Sequence, residues 1–118
     1  MANRQRGEIP IKLNGQEYSL RPTFQAMCNI ADRTGAHSLI LLSRRMLDGD
    51  IRFLDLAIII QEGIKASGKD LDLDIIGEAI VEEGLVEFSK PIMEFIRIAV
   101  EGVNKQKNEL AEVPTAQS

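Results

Sequence analysis

Hydrophobic and polar positions change rhythm several times along this chain of 118 residues. From Glu8 they alternate strictly, with Ile9, Ile11 and Leu13 on one side and Glu8, Pro10 and Lys12 on the other. A period of two is that of a half-buried strand. Asn14-Gly15 follows, and a type I′ turn needs positive φ at both central residues, which Asn and Gly tolerate best. With these two at the turn, Leu13 faces Gln16, Ile11 faces Tyr18 and Ile9 faces Leu20, so a hairpin over residues 8–21 has one apolar face. Pro10 has no N–H to donate, which predicts an edge strand with that position outward. A lone hairpin is marginal in water, so its apolar face is expected to rest on helices.

From Thr23 the period becomes helical. Thr23 is an N-cap candidate, Phe24, Met27, Cys28, Ile30 and Ala31 recur at helical spacing, and Gly35 can close the segment, which predicts a helix over 24–34. Ser38 can cap a second helix, 38–47, with Leu39, Leu42, Met46 and Leu47 in one stripe and Ser43, Arg44 and Arg45 toward water. The stretch FLDLAIIIQEGIKA, residues 53–66, is apolar over most of a helical wheel, from Phe53 and Leu54 to Ile64. Its polar residues Asp55, Gln61, Glu62 and Lys65 gather on one narrow stripe. Isoleucines also suit strands, but this run is too long and too poorly alternating for one. A helix so apolar must be covered by its neighbours, and the chain is organised around it.

After Ser67-Gly68-Lys69, the acids at 70, 72 and 74 suit a helix N-terminus, where the macrodipole favours negative charge by roughly 0.3–1 kcal/mol each. A helix over 73–83 would turn Ile75, Ile76, Ala79 and Ile80 inward and stop at Gly84. The last helix is expected over 85–104, with Pro91 imposing a bend at residues 87–90 or a later start at Ser89. Residues 1–6 and 105–118 are polar and are expected to be flexible. The sum is a small single domain over 7–104, mainly α with an N-terminal β-hairpin (α+β), with about five helices around a central apolar one.

Composition narrows the function. Aromatic residues make up 4% and tryptophan is absent, so the core must be aliphatic. The net charge of −4 argues against nucleic acid or an anionic membrane as partner, since both call for clustered cations. Cys28 is the sole cysteine, which excludes an intramolecular disulfide and a multi-cysteine zinc site. Charged, alternating residues stand where a secretory signal would need its apolar run, and no segment reaches the ~20 apolar residues of a membrane span. A cytoplasmic location is expected.

The opening residues carry a resemblance. Arg6, Gly7 and Glu8 precede the first strand, Gly15 makes the turn, Tyr18, Leu20 and Arg21 follow on the second strand, and Thr23 opens a helix. This block resembles the start of the gene transfer agent and prophage tail assembly chaperone family. The likeness continues through an apolar helix ending at Gly68 and the pair Glu83-Gly84 before the final helix. It implies a non-enzymatic chaperone that binds the tape-measure protein, the tail tube protein or both during assembly and shields their apolar surface. The isoleucine content and the polar end depart from the family pattern.

Candidate chemistry is sparse, and no cofactor is expected. Asp70, Asp72 and Asp74 open like a calcium loop, but its sixth and twelfth places hold Ile75 and Val81 rather than Gly and Glu, so an acidic helix start is the better reading. His37 stands beside Ser38 with no second imidazole in the chain, so a turn residue next to a cap is preferred to a catalytic pair. Cys28 reads as a small buried hydrophobe. Arg44 and Arg45 could meet an acidic partner, though a solvated face explains them as well. In the last helix Leu85, Phe88, Ile92, Phe95, Ala99 and Val103 form one apolar stripe, while Val86, Met93 and Val100 recur every seven residues on another. The second stripe is either buried by a bent helix or is a surface for self-association, giving a homo-oligomer, or for a client. The alternatives to a chaperone are a structural virion component such as a head-tail connector, a small DNA-binding regulator with residues 53–80 as helix-turn-helix, and an enzyme. The regulator would need a basic recognition helix, whereas residues 74–83 hold acids and no Lys or Arg. The enzyme lacks any convergent polar cluster.

Overall fold

Asn14 and Gly15 both take positive φ, 52° and 81°, as a type I′ turn requires. In this computed structural model, which describes residues 7–102, the turn joins β1 (Ile9–Leu13) to β2 (Gln16–Leu20) in the expected register. Ile9 pairs with Leu20, Ile11 with Tyr18 and Leu13 with Gln16. Ile9, Ile11, Leu13 and Leu20 are buried, and Pro10 and Lys12 face solvent. The flexible termini expected at 1–6 and 105–118 lie outside the described residues.

Five helices follow: α1 (Phe24–Arg33), α2 (Leu39–Leu47), α3 (Phe53–Ala66), α4 (Leu73–Glu83) and α5 (Leu85–Glu101). Two begin at the predicted caps. Thr23 Oγ1 accepts from the Ala26 N–H at 3.1 Å, and Ser38 Oγ from the Leu41 N–H at 3.2 Å. His37, with φ 60°, turns the chain into α2 as a left-handed residue.

The arrangement is the predicted one, a small helical domain fronted by a hairpin, with α3 at its centre. β2, α1, α4 and α5 all pack on α3, while α5 also supports β1 and carries α2. From Leu56 to Ile60 every residue of α3 is buried, so that stretch is covered on all sides. Burying each Ile or Leu there contributes roughly 1.5–3 kcal/mol. β2 sits so close to α3 that a side chain at Gly63 would strike Leu20, and the Arg21 N–H donates to the Gly63 carbonyl at 3.0 Å.

Several expectations are corrected. Asp55 and Glu62 are buried, while Phe53 and Leu54 at the start of α3 are exposed. Both acids are buried because basic side chains come to them. Glu8 is buried too, with Arg21 Nε 4.0 Å from its Oε2. It precedes the paired residues of β1, so the alternation that turns Pro10 and Lys12 outward does not bind it. Cys28 and Phe24 are exposed, because α1 turns Ala26 and Ile30 to the core instead. Leu47 on α2 and Ile75 on α4 are exposed as well.

α5 is unbroken from Leu85, with no later start at Ser89. Pro91 deprives the Glu87 carbonyl of its intrahelical donor. In the preceding turn Ser89 Oγ bridges to the carbonyls of Val86 (3.0 Å) and Leu85 (3.4 Å). The helix ends at Glu101 rather than at 104: Gly102 takes φ 99° and closes it with a 2.7 Å bond from its N–H to the Ile98 carbonyl. Val103 and Asn104 lie outside the described residues.

Candidate functional site

The buried carboxylates of α3 are held by basic and polar side chains that reach them from the surface. Glu62 accepts from Arg33 Nη1 at 2.7 Å and from Asn29 Nδ2 at 3.1 Å, tying α1 to α3. Gln61 extends the clip, accepting from Arg33 at 2.8 Å and donating to the Leu71 carbonyl at 2.8 Å. Asp55 receives the Arg52 guanidinium through Nε at 3.1 Å and Nη2 at 2.8 Å, and the Arg52 N–H at 3.3 Å. Those hydrogen bonds first, and then the carboxylate charge, raise Arg52 above its ordinary value. Arg52 has no acceptor with which to complete a reciprocal capping box, so Asp55 alone closes this helix start. The Glu62 and Gln61 contacts tie α3 to α1 and to the segment before α4, whereas Arg52–Asp55 fixes the start of α3 itself.

The residues weighed for chemistry do not converge either. Ser38 is engaged as a cap, His37 is an exposed turn residue, and Asp70, Asp72 and Asp74 stand exposed around the start of α4. Among the described residues no group of three or more His, Cys, Asp or Glu could hold a metal ion. No helix among them is long and apolar enough to cross a membrane.

What the surface does present is apolar. Val86 is 85% exposed, Val100 43% and Met93 36%, so the second stripe of α5 stands open among the described residues. Met93 lies in a groove of about 560 Å³ between α2 and α5, with Met46, Leu47, Ile96 and the aliphatic stem of Lys90. Glu94, Arg97 and Glu101 edge the groove, and Arg97 pairs with Glu101 at 3.4 Å. Val86 and Val100 do not line it; they stand one heptad away on either side along the helix.

A second groove of similar size runs between α3 and α4. Phe53, Leu54, Leu73 and Val81 line it, small residues Ala57 and Gly77 give it depth, and Asp74, Glu78 and Glu82 line it at one-turn intervals. The sequence pattern missed this surface by assigning Phe53 and Leu54 to the core. It missed the outward apolar residues of α2 for a related reason. Leu39-Ile40-Leu41-Leu42 cannot all face inward on a helix of nine residues, and that excess was the available signal.

No curated protein and no solved structure matches this chain. One family model does, that of the phage tail tube protein GTA-gp10, over residues 6–102. The match takes in the hairpin and all five helices. The chain belongs to the phage tail tube protein family GTA-gp10.

Proposed function

We propose that the protein is a non-enzymatic assembly chaperone for the tail of a gene transfer agent or prophage, and that Val86, Met93 and Val100 are part of its client surface. The observation that carries this is the open stripe on α5, with Met93 set in a groove beside Leu47. Methionine adapts to differently shaped apolar partners, as a transient binder requires. The clients are the tape-measure protein, the tail tube protein or both. Covering their apolar surface contributes about 25 cal/mol per Å² buried. That is surrendered when the tail proteins bind one another more extensively. A chaperone of this kind acts in the cytoplasm of the bacterial host.

A second reading, a structural part of the tail, is favoured by the family's own description as a tube protein. Co-expression with the neighbouring tail genes, followed by pull-down and by mass spectrometry of purified particles, separates the two. A chaperone is recovered with soluble tail protein and is absent from particles. Stoichiometric presence in particles would establish the structural role instead.

A further inference from the structure

Two exposed faces have apolar centres of similar length and opposite charge. On α2, Ile40, Arg44 and Leu47 fall at i, i+4 and i+7 on one outward face, where Ile40 is 60% exposed and Leu47 70%. From Ile40 to Leu47 the helix rises about 10 Å. α2 contains Arg44 and Arg45 and no acid, with Asp48 and Asp50 following its end. In the α3/α4 groove, Phe53, Leu54 and Val81 are exposed beside Asp74, Glu78 and Glu82, three carboxylates set along about 12 Å of helix. α4 contains no Lys or Arg, and Arg52, at the head of α3, is committed to Asp55. Among the described residues no cation pairs with those three carboxylates, and no acid pairs with Arg44 or Arg45.

We propose that the α3/α4 groove of one copy receives α2 of a second copy. A helix laid in an apolar groove is read through anchors at i, i+4 and i+7. Ile40 and Leu47 enter between Phe53, Leu54 and Val81, and Arg44, on the same face, meets the acidic row, with Arg45 on the flank of the helix adding to the positive charge there. α2 packs on α1 and α5, whereas the groove belongs to α3 and α4, so a copy cannot seat its own helix. The contact joins unlike surfaces. Each added copy therefore leaves one groove and one α2 open, and the association closes into a ring or continues as a chain. The inference does not rest on client binding, although Leu47 borders the Met93 groove as well.

The test is the mass in solution of the purified full chain, by sedimentation or light scattering, over a concentration series. Wild-type protein is expected to gain mass with concentration and to lose it with added salt. Charge reversal on either surface, R44E/R45E or E78K/E82K, is expected to weaken association at least tenfold, because like charges then face each other. Mixing the two variants is expected to restore it, since each reversed surface then meets an opposite one. Circular dichroism identifies any variant that has lost its helices, and the salt dependence of the wild type needs no variant. A wild-type monomer at every concentration, association indifferent to salt, or folded variants that associate alone or fail to recover on mixing would each overturn the proposal.

Discussion

Gly63 on α3 lies against Leu20 on β2 so closely that a Cβ at Gly63 would fall 2.8 Å from Leu20 Cδ2 and 3.3 Å from its Cα. Both residues are buried, and the neighbouring Arg21 N–H is bonded to the Gly63 carbonyl, so neither backbone can withdraw cheaply. The absence of a side chain at one position therefore sets how the hairpin docks on the central helix.

Gly63→Ala is accordingly expected to destabilise the protein. Overpacking costs about 1–3 kcal/mol, against which the gain in helix propensity is about 1 kcal/mol. Gly77→Ala is the control, because a Cβ there meets nothing within 4 Å and its φ is not positive. It is expected to stabilise by about 0.5–1 kcal/mol. Urea unfolding of both variants checks the opposite signs.

Removing the two partners of the α1–α3 ion pair is expected to have unequal effects. Arg33→Ala leaves the Glu62 carboxylate buried with Asn29 as its remaining donor among these contacts. Glu62→Gln keeps an acceptor, and the partly exposed Arg33 can turn to water. A loss of about 2–3 kcal/mol is expected for the first and about 1 kcal/mol for the second. Equal losses would show that the charge on Glu62 does not matter.

Met93→Glu is expected to leave unfolding free energy within about 0.5 kcal/mol of wild type, as exposed substitutions usually do. Its ability to keep a co-expressed tail protein soluble is expected to fall. Comparing client in the soluble and pelleted fractions reads the effect directly, and unchanged solubility would remove Met93 from the client surface.

Cys28, exposed on α1, is expected to react with a maleimide in the native protein without denaturant. Reaction at the rate of an unfolded control, followed by mass spectrometry, would confirm the outward face of α1. Protection would return Cys28 to the interior that the apolar spacing first implied.

Local chemistry was legible wherever one residue type is demanded by one conformation. Asn14-Gly15 determines the turn and with it the whole hairpin register; Thr23 and Ser38 announce two helix starts, and the unbroken apolar run marks α3. Two of the buried acids were misread because their partners are remote in the chain. Glu62 is buried because Arg33, 29 residues earlier, reaches it, and Glu8 because Arg21 lies across it. Phe53, Leu54, Ile40 and Leu47 are apolar yet outward, and periodicity alone does not separate a core face from an exposed one. The α5 stripe was visible because it exceeded what one helix needs in order to cover a small domain. The α3/α4 groove was not, because its walls come from two helices whose distance apart no local pattern encodes.

Leu47 stands on the outward face of α2 and also lines the groove beside Met93. If both proposed contacts form, one leucine serves two partners, and whatever occupies one contact obstructs the other. Such antagonism is reciprocal by thermodynamic necessity. If copies stack through α2, idle molecules hold each other in reserve, and a newly made tail protein draws them out of that store in proportion to its own abundance.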